Sequence, residues 1–334
     1  MKKIITLLLT IVIGATLMVG CNESKENGEL EENKSEVTNK DVKVVVPDGL
    51  PAISLAKLAK ENPEIKSGYN INYSIESTSD ALSTVVMKEE ADIAIVPSNM
   101  AAIAYNKTSN YKILGTVGMG SFYLVSTENM SSMDDLIGKE VGNTGKGLTP
   151  DITVKTILKE KNINLDDINF NYVNSMSELV PMMASGKLNT GFVSEPALTG
   201  LMNKNDNIKI ITSLNDEWKS ISGSKNGYPQ STLIVKADFA KENPEFIEKF
   251  VEQISESIKW ANDNPTEAGS YSKDFGVSTE ASVIEKAMER ANLNFINISD
   301  MKEEYENYYK ILFDFEAKTV GGKLPDEGIF YKGE

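Results

Sequence analysis

Residues Asp92–Tyr105 read DIAIVPSNMAAIAY. Ile93, Ile95 and Val96 make a short β-branched apolar run of strand length, and the chain then breaks at Pro97. Ser98 follows as a candidate N-cap ahead of an alanine-rich helical run. A strand that ends in a capped helix directs free backbone N–H groups and the positive end of a helix dipole beyond the sheet edge. In open α/β sheets small ligands bind at that edge.

Three further stretches repeat this order. Val42–Ala59, VKVVVPDGLPAISLAKLA, reads as strand, Pro-Asp-Gly turn and helix, with Pro51 in the first turn. Lys139–Leu158, KEVGNTGKGLTPDITVKTIL, reads as strand, glycine loop and helix, with Thr149 as cap and Pro150 at the first helical position. Thr190–Met202, TGFVSEPALTGLM, has Ser194 as cap and Pro196 just inside. A shift of about 98 positions carries Gly49-Leu50 onto Gly147-Leu148, Lys57 onto Lys155 and Ser77 onto Ser175. The same shift carries Ser79-Asp80 onto Ser177-Glu178 and Ile95 onto Val193. The spacing predicts two α/β lobes of similar design, each turning its strand–helix loops toward a shared cleft.

The start of the chain has a different character. Lys2-Lys3 precede an apolar run from Ile4 to Val19, followed by Gly20 and Cys21. A charged segment, a short apolar segment and a small residue form a secretory signal over residues 1–20, too short for a membrane span. Cys21, the single cysteine of the chain, follows LMVG, which resembles a bacterial lipobox with Met18 where leucine is commoner. That resemblance implies a lipid-modified (palmitate-bearing) Cys21 as mature N-terminus, anchored in the cell membrane and facing outside the cytoplasm. Residues 21–40, rich in Glu, Lys and Asn, are expected to be a disordered tether. A single cysteine leaves no internal disulfide, as suits a domain large enough to bury its own core.

Composition excludes several classes of function. The formal net charge is −15, which argues against nucleic acid as a partner. The 334 residues include no histidine, and Arg290 is the only arginine. No Ser-His-Asp or Cys-His set can be assembled, and neither a metal site nor a cofactor is expected.

In the first lobe, Asn70–Thr78 alternates as a strand and ends in Ser77-Thr78-Ser79-Asp80, whose hydroxyls serve equally as helix caps or ligand contacts. A further strand over 112–117 leads through Gly118-Met119-Gly120-Ser121 into Phe122–Thr127, read as the first strand crossing between lobes. The loop GNTGKGLTP lacks the Gly-Lys-Ser/Thr ending of a nucleotide-binding loop. Its amides and Lys146 are left as a seat for a polar or anionic group, or as a solvated surface. Glu195 reads either as a first-turn acid that complements the helix dipole or as an acceptor for ligand N–H groups. Ser231–Lys236 returns to the first lobe. Beyond it, helices are predicted from Asn243-Pro244 up to Pro265, over 279–291 and over 300–315. The aromatic side chains of the last helix (Tyr305, Tyr308, Tyr309, Phe313 and Phe315) are expected in the core.

The succession of lipobox, tether, VVVPDGLPAISLAKLA, ADIAIVPSNMAA, SMDDLIGKEVGNTGKG and GFVSEPALTG resembles the substrate-binding lipoproteins of ABC importers. Within them it is most similar to the nitrate, sulfonate, taurine and thiamine-precursor branch. The resemblance implies a periplasmic-binding-protein-like type II fold with two α/β lobes joined by two crossing strands. The expected division is 41–124 with 235–334 for lobe 1, and 125–234 for lobe 2. It implies a monomer with no catalytic residues that grips a small molecule and delivers it to an ABC permease and its ATPase. The cargo would be a sulfonate, a nitrate-like anion, or a pyrimidine or thiamine precursor. The ligand-lining positions implied are Asp48, Gly49, Leu50, Ser77, Thr78, Ser79, Ser98 and Asn99 in lobe 1. In lobe 2 they are Thr144, Gly145, Lys146, Gly147, Met176 and Glu195. No arginine falls in these loops, so a neutral or cationic heterocycle stands beside the anions. A surface sensor or adhesion lipoprotein, and an enzyme on the same bilobed fold, are the alternatives. A neighbouring permease would speak against the first, and absence of turnover against the second.

Overall fold

The computed structural model describes residues 39–333. The signal segment, Cys21 and all but the last two residues of the expected tether lie outside the described residues. The first lobe opens with β1 (Lys40–Pro47), α1 (Leu50–Glu61), β2 (Tyr69–Glu76), α2 (Ser79–Met87), β3 (Ile93–Pro97), α3 (Ser98–Thr108) and β4 (Tyr111–Met119). The second holds β5 (Phe122–Ser126), β6 (Glu140–Thr144), α4 (Thr149–Glu160), β7 (Asn169–Val173), α5 (Met176–Ala184), β8 (Thr190–Ser194), α6 (Ala197–Met202), β9 (Lys209–Ser213) and α7 (Leu214–Ser222). The chain returns through β10 (Pro229–Lys236) to α8 (Ala237–Glu242), α9 (Pro244–Asp263), α10 (Pro265–Phe275), α11 (Ala281–Ala287), β11 (Leu293–Asn297) and α12 (Ile298–Phe315).

The repeat seen in the sequence is realised in the sheets. The first has the order β11-β4-β10-β3-β1-β2 and the second β7-β6-β8-β5-β9. In each, two β-α-β steps lay three parallel strands side by side, and a crossing strand packs antiparallel beyond the third. Each lobe thus receives its antiparallel strand from a crossing between lobes.

The crossings pass close together. Gly120-Ser121 alone separates β4 from β5, and the return enters β10 through Tyr228. Gly120 N–H donates to Tyr228 O at 3.1 Å, and Ser121 N–H donates to Gln230 Oε1 at 2.8 Å. A Cβ on Gly120 would lie 2.3 Å from the Tyr228 ring, so only glycine lets the two segments run this close.

An apolar core continues behind both lobes. Met100 and Ala101 of α3, Ile152 and Ile157 of α4, Trp218 of α7, and Tyr305 and Tyr308 of α12 belong to the same buried cluster. α12 touches both β4 and α4 and so fills the space between the lobes, with Trp218 and Tyr308 ring centres 5.3 Å apart. The first lobe has a second core under α1 and α9, where Phe246, Phe250, Ile254 and Ile258 recur at helical spacing.

A polar seam runs through the shared core. The Tyr305 hydroxyl shares hydrogen bonds with Thr116 (2.8 Å) and Thr232 (2.6 Å), and Thr232 shares another with Ser98 (2.7 Å). Tyr309 donates to Ser98 O at 3.0 Å. Between lobes, Asn99 N–H donates to Thr149 Oγ1 at 3.0 Å, and Asn99 Nδ2 donates to Gly147 O at 3.1 Å.

Three caps differ from expectation, and these bonds explain two of them. Ser98 and Thr149 are the first helical residues of α3 and α4, after Pro97 and Leu148, and neither caps its helix. Their hydroxyls are engaged across the seam. Ser194 gives way to Pro196 as the residue before α6. Other elements differ too. Pro265 begins α10 as well as following α9, because proline fits a first turn. β11 was not anticipated; it pairs antiparallel with β4 at the sheet edge. β1 starts at Lys40, within the expected tether.

Tyr305→Phe leaves the Thr116 and Thr232 hydroxyls without their shared partner. It should destabilise the protein by about 1–2 kcal/mol, read as a lower urea midpoint with an unchanged slope.

Candidate functional site

The parallel strands of both sheets end facing one another, and the loops beyond them enclose a cleft of about 280 Å³. Asp48, Gly49 and Leu50 line it from the β1–α1 loop, and Ser77, Thr78 and Ser79 from the β2–α2 loop. The second lobe contributes Thr144, Gly145, Met176 and Glu195. Gly49 has φ 99° and immediately precedes α1, a backbone setting that side chains with a Cβ rarely adopt. It turns β1 sharply into α1 and brings the helix start to the cleft.

Four expected residues lie outside the lining. Ser98 and Asn99 are fully buried behind Pro97, with their polar atoms in the seam. Gly147 is exposed, and its carbonyl accepts from Asn99. Lys146 is exposed, and its ammonium rests 5.1 Å from the centre of the Tyr172 ring.

The glycine loop is shaped by Asp151, which is 1% exposed. Its Oδ2 accepts from Gly147 N–H at 2.9 Å and lies 3.0 Å from Lys155 Nζ. Its Oδ1 accepts from the Tyr172 hydroxyl at 2.6 Å. Burial, and then the bond to Asp151, push the Tyr172 phenol well above its ordinary pKa, so it stays a donor.

Glu195 is likewise satisfied from within. The residue is 1% exposed; Oε1 lies 2.7 Å from Arg290 Nε and Nη2, and Oε2 accepts from Thr199 N–H at 3.1 Å. Arg290 Nη2 also donates to Thr199 Oγ1 at 2.8 Å. The sole arginine comes from the segment between α11 and β11, on the first lobe, whereas Glu195 belongs to the β8–α6 loop of the second. The pair therefore bridges the lobes beside the cleft. Tyr123 donates to Arg290 O at 3.1 Å, and burial with the Glu195 charge holds its phenol above the ordinary value against the opposing arginine.

Several lining residues were not anticipated. Phe122, Gln230 and Ser231 enter from the crossings, where no motif marks them. Ser175 and Ser177 also line the cleft, and the internal repeat had paired them with Ser77 and Ser79. That pairing was signal enough to find them.

Removing Arg290 strands a buried carboxylate. Arg290→Gln should destabilise by about 2–4 kcal/mol, less than a fully buried pair because a third of the arginine side chain is exposed. Glu195→Gln combined with Arg290→Gln should cost less than the sum of the single changes in urea unfolding.

An ABC transporter structure from Parabacteroides distasonis superposes with a TM-score of 0.74 at 24% identity, covering 89% of this chain and 100% of that one. The periplasmic aliphatic sulphonate binding protein SsuA from Escherichia coli gives 0.68 at 13% identity, covering 88% and 92%. The periplasmic nitrate-binding protein NrtA from Synechocystis PCC 6803 gives 0.63 at 13% identity, covering 84% of each. These likenesses establish the periplasmic-binding-protein-like fold. No curated protein matches the chain. The family model described as NMT1/THI5 like matches residues 66–268, more than half of the sequence, and the chain belongs to that family.

Proposed function

We propose that the protein is an extracytoplasmic solute-binding lipoprotein, which captures a small polar molecule between its lobes and delivers it to an ABC permease driven by a cytoplasmic ATPase. The observation that carries this reading is the cleft itself. Loops at the ends of two opposed sheets meet over about 280 Å³, and the lobes are joined by two short crossings, the seam and core behind them, and the Glu195–Arg290 pair beside the opening. Pockets of this order suit a small ligand and combine apolar walls with a few polar groups. Here Phe122, Leu50, Leu148 and Met176 supply apolar surface, and serine and threonine hydroxyls supply hydrogen bonds.

Binding, rather than chemistry, is the function proposed. The sequence carries no histidine and a single cysteine, so the usual acid–base and nucleophile sets are lacking. Affinity arises where ligand contacts are better with the lobes drawn together than apart. The solved structures of similar fold include components of transport systems, which supports this assignment. The proposed lipid anchor rests on the LMVG-Cys21 sequence, and the same reading takes the domain to work as a monomer on the outer side of the cell membrane.

Two measurements test this reading. The full-length protein in mild detergent should be stabilised by its cargo by about 2.7 kcal/mol at a hundredfold excess over Kd, seen as a rise in Tm across a panel of small polar solutes. Cys21→Ser should move the protein from the membrane to the soluble fraction, and persistent membrane retention would contradict the anchor.

A further inference from the structure

Oxyanions are ordinarily held by the free N–H groups at helix N-termini, often with a basic side chain. Around this cleft the chain supplies carboxylate acceptors of its own to several N–H groups at or beside helix starts, while α2 is capped by the neutral Thr78 hydroxyl. Before α1, Gly49 N–H donates to Asp48 Oδ1 at 2.9 Å, and the same oxygen takes Ser278 N–H at 3.1 Å. Before α4, Gly147 N–H donates to Asp151 Oδ2 at 2.9 Å. Before α5, Asn174 N–H donates to Glu178 Oε2 at 3.1 Å. In α6, Thr199 N–H donates to Glu195 Oε2 at 3.1 Å. At α1 and α5 the acceptor, Asp48 or Glu178, has no basic partner among the described residues and outweighs the half charge of the dipole, whereas Asp151 is paired with Lys155 and Glu195 with Arg290.

The charged side chains of the lining point the same way. All are acids: Asp48, Glu76 and Glu195. Glu195 is neutralised by Arg290, but among the described residues neither Asp48 nor Glu76 has a basic partner. Asp48 N–H donates to Glu76 O at 3.3 Å, so the two carboxylates spring from adjoining backbone at one lip of the cleft. Lys146, the nearest candidate cation in sequence, lies over Tyr172 and outside the lining.

Resting on the solute-capture reading above, the geometry points to an organic cation as the cargo: an ammonium group on a compact apolar frame. The ammonium sits against Glu76 and the free oxygen of Asp48, and the frame packs on Phe122, Leu50 and Met176. A sulfonate or nitrate entering the same space meets carboxylates where it needs donors. Two unscreened acids then act as a filter by charge.

Matched probes test this on the full-length protein in detergent. Benzylammonium and butylammonium are compared with phenylmethanesulfonate and butanesulfonate, which differ only in the charged group, and with nitrate. The amines should raise Tm and bind by calorimetry, more weakly as salt is added, while the sulfonates and nitrate do neither. Glu76→Gln should weaken amine binding roughly tenfold or more while leaving the ligand-free Tm at the wild-type value. Binding of sulfonates or nitrate without the amines overturns the charge assignment and leaves solute capture standing. Unchanged amine affinity in Glu76→Gln overturns the role of that carboxylate. If no probe binds and native mass spectrometry finds no co-purifying molecule, both readings fall.

Discussion

A buried hydroxyl cluster governs the rest of this structure. Tyr305, Thr116, Thr232 and Ser98 bond to one another in a core that excludes water. A buried polar group without a partner costs more than its bond gains, so such a cluster tolerates one arrangement and disfavours its neighbours. Here it joins helix α12 to three positions: β4, the returning strand β10 and the start of α3. The register between the last helix and the first sheet is thereby fixed. Asn99 and Thr149 extend the same constraint to the second sheet. Among the lining residues, Pro97, Leu148, Pro150 and Ser231 lie directly beside these anchors.

Much of this was legible in the sequence, and the failures have physical causes. Short apolar runs followed by a proline turn or a glycine loop and then a helix start located β1, β3, β6 and β8, because local preference and tertiary need agree there. The same rule misplaced the caps at Ser98 and Thr149. A hydroxyl at a helix start can turn back to its own backbone or reach across a seam, and nothing local distinguishes the two. β11 escaped notice because its pairing partner, β4, is distant in sequence and its own residues alternate only weakly. In the cleft, the repeat had already tied Ser175 and Ser177 to Ser77 and Ser79. The environment of Glu195 was harder to read, since its partner Arg290 lies almost a hundred residues away by sequence.

Electrostatics separates this cleft from a generic polar pocket. The chain places acidic side chains at helix starts, a common stabilising choice. Here that choice also occupies a donor of the cleft wall, because the Asn174 N–H serves Glu178. The Glu195–Arg290 pair has a similar double character: it satisfies a buried charge and ties the two lobes at one side of the opening.

The wedge formed by α12 has a geometric corollary. Because α12 packs on both β4 and α4 and fills the rear between the lobes, a rotation of one lobe against the other pivots there. Pro97, Phe122, Gln230 and Ser231 form the deep end, next to the seam and the crossings, where displacement is smallest. The loops around Ser77 and Ser175 form the lip, where a small rotation gives the largest travel. The deep end is therefore the fixed part of the cleft, and the lip, where Asp48 and Glu76 lie, is its adjustable part.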